Sequence, residues 1–399
     1  MAKGECNWSN NNWSYCVFCM IINRTTNIFI LSKQDTTVMK GIAIIAMLCH
    51  HVFTGQPEWV ATYPYWLTLL GVLGKVCVAI FLFCSGYGLA TQYEKILNKS
   101  LDTKTKIYRT IIFIFKRLVK FYSSYWFVFL IFVPITIFFF DRPLSEAYGE
   151  NVNILKSLFF DVLGVQGFQS YNITWWFNKL IILLYLLFPF LFIAIKRTRW
   201  FGLLCCFVLM RLANKLGAGN YYDIMLWQFP FVLSIGWVLY NQDKSVKWSN
   251  WINKHIGLIT VGVVILLLLG IVQRLYNIVP FGSITGIRFD GFLCLILALC
   301  VILIFRRMKY TYMILSFLGK HSINIYLIHT FFNYYWEPIH YFLHTNKICR
   351  FMGLNMWILL ITCLLVSILI EFMKEKLYWN KLTNKFLAIF ECNDKYTFQ

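Results

Sequence analysis

Residues 39–53 read MKGIAIIAMLCHHVF. The stretch is apolar enough to lie in a bilayer, yet it opens beside a lysine and closes on two adjacent histidines. Apolar runs of sixteen to more than twenty residues recur along the rest of the chain, the length needed to cross hydrocarbon as a helix. Hydrophobic residues make up 59% of the 399 and charged residues only 14%, a balance that no soluble domain of this size requires. Alternating segments of strand length are absent, which argues against a membrane β-barrel. The expected fold is an all-α integral membrane protein.

Ten candidate spans follow, near 38–54, 72–92, 122–140, 176–195, 200–214, 224–240, 256–273, 288–305, 321–338 and 355–373. The segments between them set an orientation. Glu94 to Lys120 carries eight Lys or Arg against two acids, whereas Asp141 to Thr174 carries two basic residues against four acids. Later basic clusters, at 196–199, 244–254, 306–309 and 374–385, fall on the same side as the first. Positive charge collects on the cytoplasmic face, so both termini are expected there. Residues 1–36 read as a poorly ordered extension, 37–377 as one transmembrane unit and 378–399 as a cytoplasmic tail. The net charge of +20 lies mostly in these short segments. It therefore reads as topology signal and headgroup contact rather than as a nucleic-acid surface.

Most of the thirteen cysteines lie inside apolar runs and behave as small buried residues. Cys16 and Cys19 form a CxxC with Cys6 upstream. No second pair or histidine pattern accompanies them, so no metal is expected.

Within the opening span, Lys40 and His51 are eleven positions apart. At 100° per residue their side chains differ by only about 20° around the helix, with His51 some 16 Å further along. His50 points about 80° away. Lys40 and His51 thus share a stripe along which one long ligand can touch both. Ionisable groups at membrane depth are costly and mark functional sites.

Five stretches, in order, resemble motifs of the membrane acyltransferase family 3. KGIAIIAMLCHH resembles its first motif, a cation separated by ten residues from a catalytic His; here these are Lys40 and His51. VCVAIFLFCSGYGLA (76–90) is similar to its second-helix signature, ending in Ser85, Gly86 and Tyr87. FKRLVKFYSSYW (115–126) resembles its basic motif, with Arg117 and Lys120 at the Arg-x-x-Arg spacing and no following Pro. TWWFNKLIILLYLLFP (174–189) resembles its Trp-to-Pro helix, and LGKHSINIYLIHTFF (318–332) its late Tyr-Leu-x-His signature. Lysine stands at 40 and 120 where arginine is commoner, which keeps the charge and loses the bidentate fork.

The resemblance implies transfer of an acyl group, usually acetyl from acetyl-CoA, to a hydroxyl of a cell-surface glycan. A neutral imidazole suits removal of the hydroxyl proton, so His51 is the expected base; a second route, in which His51 carries the acetyl group between donor and acceptor, fits the same residue. Lys40, Arg117 and Lys120 supply cations for the coenzyme A phosphates. His50, Ser85, Tyr87, Asn178, Lys179, Asp290 and His329 are further candidates for the acceptor side or for support. Ser85 beside Gly86 reads as a close helix contact, Tyr87 as packing, and Arg288 with Asp290 as an ion pair. Ser322 reads as an N-cap ahead of His329, and Trp175 and Trp176 as interface aromatics. The expected partners are acetyl-CoA, a capsule or exopolysaccharide acceptor and the lipid of a bacterial cytoplasmic membrane. The competing reading is a polysaccharide flippase or polymerase. Such proteins need large soluble loops or paired halves, and neither is visible in the chain.

Overall fold

A computed structural model describes residues 30–55, 61–98, 102–215, 224–241, 254–276 and 285–396. Cys6, Cys16 and Cys19 lie outside them. The described residues contain no strand. The helices are α1 (Lys33–Phe53), α2 (Tyr65–Gly74), α3 (Cys77–Asn98), α4 (Thr103–Phe139), α5 (Leu144–Tyr148), α6 (Ile154–Val162), α7 (Trp176–Thr198), α8 (Trp200–Lys215) and α9 (Ile224–Asn241). They continue with α10 (Ile256–Tyr276), α11 (Thr285–Leu303), α12 (Lys309–Lys320), α13 (Ser322–Thr330), α14 (Glu337–Thr345), α15 (Lys347–Met352), α16 (Leu354–Lys376) and α17 (Trp379–Tyr396).

Among the described residues, six helical stretches are long and apolar enough to cross a membrane: Lys33–Phe53, Tyr65–Asn98, Thr103–Phe139, Ile173–Thr198, Ile256–Tyr276 and Leu354–Lys376. Trp200–Leu209 and Gln228–Tyr240 are shorter apolar helices. The span expected at 321–338 is not one helix. α13 has nine residues, passes into a π-helical turn at Phe331–Tyr335, and gives way to α14. Ser322 is the first residue of α13 and makes no capping hydrogen bond; the cap position is His321. The stretch buries Asn324, His329, Thr330 and Asn333, and it is not apolar on every face: Asn324 bonds to Ser367 and Glu371, Thr330 to Thr174 and Asn333 to the His51 carbonyl.

α1 is the organising element. Ser32 caps it, accepting from the Asp35 N–H at 3.1 Å while Asp35 Oδ2 accepts from the Ser32 N–H at 2.6 Å. This reciprocal box satisfies two of the helix's orphan donors. Asp35 is fully buried and also accepts from Arg306 Nε at 2.9 Å and the Tyr312 hydroxyl at 2.9 Å. α12, which carries Tyr312, crosses α1 at backbone contact. A Cβ on Gly41 would overlap the Leu315 carbonyl, and one on Gly319 would overlap that of Thr37. Small residues let the two backbones meet.

α4 is 37 residues long, about 55 Å at 1.5 Å per residue. The segment after it does not stay beyond its end. The Tyr125 hydroxyl donates to the Asp161 carbonyl at 2.5 Å, Trp126 Nε1 to Val162 O at 2.8 Å and the Tyr122 hydroxyl to Leu163 O at 2.8 Å. Tyr125 lies fourteen residues before Phe139, so the segment folds back by about 21 Å along α4. Asp161 anchors the fold-back, accepting from the Tyr171 N–H at 2.6 Å and the Tyr148 hydroxyl at 2.9 Å. Burial pushes its carboxyl up to about 6, against those donors, which favour the charged form.

The C-terminal residues form α17, docked along α4. Trp379 Nε1 donates to the Ser123 carbonyl at 2.9 Å, the Thr383 and Ser123 hydroxyls are 2.8 Å apart, and Phe390 packs on Phe115 at 4.8 Å between centroids. Positions 379, 383, 386 and 390 lie on one helical stripe.

Candidate active site

α1 runs unbroken from Lys33 to Phe53, so Lys40 and His51 keep the register read from the sequence. Lys40 is half-buried beside Cys84 of α3. Among the described residues its ammonium makes no hydrogen bond or ion pair. Arg117 of α4 is half-buried, hydrogen-bonded to Gln92 of α3 and 5.4 Å from the Phe113 ring. Lys120 is exposed. The i, i+3 pair therefore diverges, one head turned inward and the other outward. The Ser85 hydroxyl lies 3.3 Å from that of Tyr185, which is itself beside Arg117. A Cβ on the neighbouring Gly86 would sit 2.5 Å from the Phe231 carbonyl, so this glycine serves the contact of α3 with α9. The Tyr87 hydroxyl donates to the Leu31 carbonyl at 3.1 Å and accepts from its N–H at 2.9 Å. Its role is to tether the start of α1.

At the other end of α1, His51 is half-buried and His329 of α13 is fully buried. Their ring centroids are 4.8 Å apart. Helices more than 270 residues apart in sequence thus bring two imidazoles together, their planes tilted by 47°. His50 is separately held, its Nδ1 lying 3.0 Å from the Gly71 carbonyl and 2.9 Å from the Thr54 hydroxyl. Gly71 belongs to α2, so His50 ties α1 to α2.

The hydrogen bonds fix the proton on His329. Its Nδ1 lies 2.8 Å from the Tyr326 carbonyl, which can only accept, so Nδ1 carries the hydrogen and Nε2 the lone pair. The Thr330 hydroxyl lies 3.4 Å from Nε2. That hydroxyl is 2.8 Å from Thr174 Oγ1, which donates to Asn172 Oδ1 at 2.7 Å. Thr330 therefore gives its hydrogen to Thr174, and among the described residues nothing donates to the lone pair on His329. Asn178 is fully buried with Oδ1 3.2 Å from the Tyr326 hydroxyl. Its Nδ2 has no partner among the described residues. The next residue, Lys179, is exposed and runs against Gly167.

One reading of the sequence changes, and two contacts are added to it. Trp175 is not at an interface: it is 1% exposed and its Nε1 donates to the Leu327 carbonyl at 3.1 Å. Asp290 pairs with Arg274 of α10, Nε to Oδ1 3.0 Å; the side chain of Arg288, its expected partner, lies outside the described residues. Tyr334 and Asn333, absent from the sequence reading, both reach the His51 carbonyl, at 3.0 and 3.3 Å. Their one sequence signal is the polar NYY that interrupts the apolar run after His329.

Residues 35–373 match the family model of the acyltransferase domain, Acyl_transf_3. The chain belongs to the acyltransferase 3 family. No curated protein and no solved structure matches it. The match begins at the capping carboxylate of α1 and ends inside α16, so it contains the whole arrangement of Lys40, Arg117, His51 and His329. The protein is thus a multi-pass membrane protein of an acyltransferase family. An imidazole lone pair to which no described residue donates, in an enclosed polar site, suits that chemistry, because a neutral imidazole can take a hydroxyl proton near neutral pH.

Proposed function

We propose that this protein is an O-acyltransferase that moves acetyl from acetyl-CoA to a hydroxyl of a cell-surface glycan in a bacterial cytoplasmic membrane. The observation that carries this reading is the close pair His51 and His329, set in neutral polar side chains, with His51 on the helix that also carries Lys40, a cation without a partner among the described residues. Coenzyme A is long and anionic at one end. Its phosphates meet Lys40 and Arg117, with Lys120 at the rim, and its pantetheine arm follows the Lys40–His51 stripe to bring the thioester to His51.

The acceptor hydroxyl loses its proton to the His51 imidazole as its oxygen attacks the acyl carbon. The new C–O bond forms, the C–S bond breaks, and the proton passes from His51 to the departing thiolate. No net proton is gained or lost. His329 Nε2 and Asn178 Nδ2 offer the acceptor two further hydrogen-bonding positions. General-base assistance of this kind contributes about 10² to 10⁴ in rate.

In this reading the basic ends of the helices, and with them both termini, face the cytoplasm. Purified protein in nanodiscs, given radiolabelled acetyl-CoA and candidate capsular glycans, is expected to transfer label to the glycan. Flipping of lipid-linked sugar without any acetyl donor, and no label transfer, would replace the reading with the flippase. Cysteine labelling in intact cells tests the orientation: positions in 94–120 should be protected and exposed positions in 141–174 reachable, and the reverse pattern would remove the donor placement.

A further inference from the structure

The opposite nitrogen of His51 meets a residue to which nothing so far assigns a role. Tyr334 lies in the π-helical turn Phe331–Tyr335. Its hydroxyl is 3.0 Å from the His51 carbonyl and 3.4 Å from His51 Nδ1. A tyrosine hydroxyl has one hydrogen, and the shorter contact, to a carbonyl that can only accept, takes it. Toward Nδ1 the Tyr334 oxygen then has only lone pairs to offer. A hydrogen bond at that contact requires N–H on His51 Nδ1, with Nε2 bare.

Two further features converge on the same contact. Gly55 sits at the end of α1, and a Cβ there would overlap the Tyr334 hydroxyl and stand 2.5 Å from the His51 carbonyl. Asn333, the residue before Tyr334, also donates to that carbonyl, at 3.3 Å. Two successive side chains reach one acceptor because the backbone is wound in a π turn there, a deviation that recurs at functional sites. Asn333 is in turn held by His344, whose Nε2 lies 3.3 Å from its Oδ1, and by His340, whose Nδ1 lies 2.7 Å from its carbonyl. The turn is anchored from behind as well as in front.

We propose that Tyr334 is a positioning residue that sets the reactive tautomer of His51, holding the neutral hydrogen on Nδ1 so that Nε2 faces the reacting groups as a base. As His51 takes up the substrate proton, the Tyr334 oxygen accepts from the charged ring and the 3.4 Å contact shortens. A histidine in the wrong tautomer offers a donor where the reaction needs an acceptor. The assignment of a catalytic task to His51 rests on the acyltransferase reading; the tautomer itself does not.

The test uses the full-length protein in lipid nanodiscs with nitrogen-15-labelled histidine, the His51 signals being assigned by their loss in His51→Asn. Wild type is expected to show His51 with Nδ1 protonated and Nε2 bare. Tyr334→Phe removes the acceptor and should move His51 to the Nε2–H form, which imidazole prefers in water. Gly55→Ala, which displaces the hydroxyl without touching Tyr334, should do the same. In both variants acetyl transfer should fall about 10- to 100-fold in kcat, with the acetyl-CoA KM unchanged. A wild-type His51 already in the Nε2–H form, or a Tyr334→Phe spectrum identical to wild type, overturns the proposal. The expected tautomer shifts together with a wild type that transfers no acetyl would instead overturn the acyltransferase reading and leave the Tyr334 assignment standing.

Discussion

The two ends of α1 solve the same problem in different ways. At the Lys33 end the polar groups are ionic. Asp35 is buried, but it is held by Arg306, Tyr312 and the Ser32 N–H, while the ammonium of half-buried Lys40 has no partner among the described residues. At the Phe53 end the groups that enclose His51 and His329 are neutral: Tyr326, Thr330, Thr174, Asn172, Asn178, Asn333 and Tyr334. A neutral dipole is satisfied by one or two hydrogen bonds, whereas a buried charge costs several kcal/mol unless fully paired. The end expected to meet an anionic ligand keeps one cation, Lys40, without a partner among the described residues. At the end expected to do chemistry the described groups that hydrogen-bond around the two imidazoles are neutral, so a proton arriving on an imidazole is placed by their lone pairs.

The largest effect is expected from the histidines. His51→Ala should lower acetyl transfer by about 10² to 10⁴ at matched membrane protein levels. His50→Ala loses the tie to Gly71, about 1 kcal/mol of stability, and should keep a substantial part of the activity. If turnover survives in His51→Ala and vanishes in His50→Ala, the register that places His51 on the Lys40 stripe is wrong.

At the opposite end the contrast lies within the cation pair. Arg117 turns inward against Gln92 and Phe113, whereas Lys120 is exposed. Arg117→Ala should raise the acetyl-CoA KM about tenfold, the worth of one charge-assisted hydrogen bond, with kcat nearly unchanged because the contact acts alike in ground and transition states. Lys120→Ala should raise it less than about threefold, as exposed cations contribute little. A collapsed kcat at unchanged KM in Arg117→Ala would move that residue out of donor binding.

The smallest effect concerns the segment that folds back over the neutral end. The Asp161 carboxyl is pushed up to about 6 from an ordinary 3.8 by burial. The folded state therefore binds its proton more tightly than the unfolded chain. That contribution is full below pH 3.8 and is lost as pH rises through 6, with a slope of at most about 1.4 kcal/mol per pH unit. Melting temperatures of wild type and Asp161→Asn between pH 4 and 7 should show wild type losing ground as pH rises. Parallel curves would mean that Asp161 is charged throughout and that the anchor is ionic.

Much of this was legible without coordinates. Apolar run length led to an all-helical membrane protein, and five ordered motifs led to the family that residues 35–373 match. The stripe of Lys40 and His51 needed only the helical repeat. The wrong readings share one cause. Trp175, Ser322 and the 321–338 span were interpreted from local pattern: tryptophan at a span's edge, serine ahead of an apolar run, apolar length. Trp175 is placed by a partner far away in the chain, the Leu327 carbonyl, and the 321–338 stretch carries a buried polar cluster bonded to distant helices.

What the sequence by itself determined is whatever depends on one helix at a time: which segments prefer lipid, which end is basic, and which residues of α1 share a face. Only the tertiary structure decided that His329 meets His51, that the segment 141–174 folds back along α4 rather than standing clear, and that Tyr334 reaches past Gly55 to the His51 carbonyl. Helical periodicity is a property of adjacent residues and can be counted along the chain. Which lone pair is left unshared depends on where every hydrogen of a network goes, and the members of this network, from Thr54 to His344, are brought together only by packing.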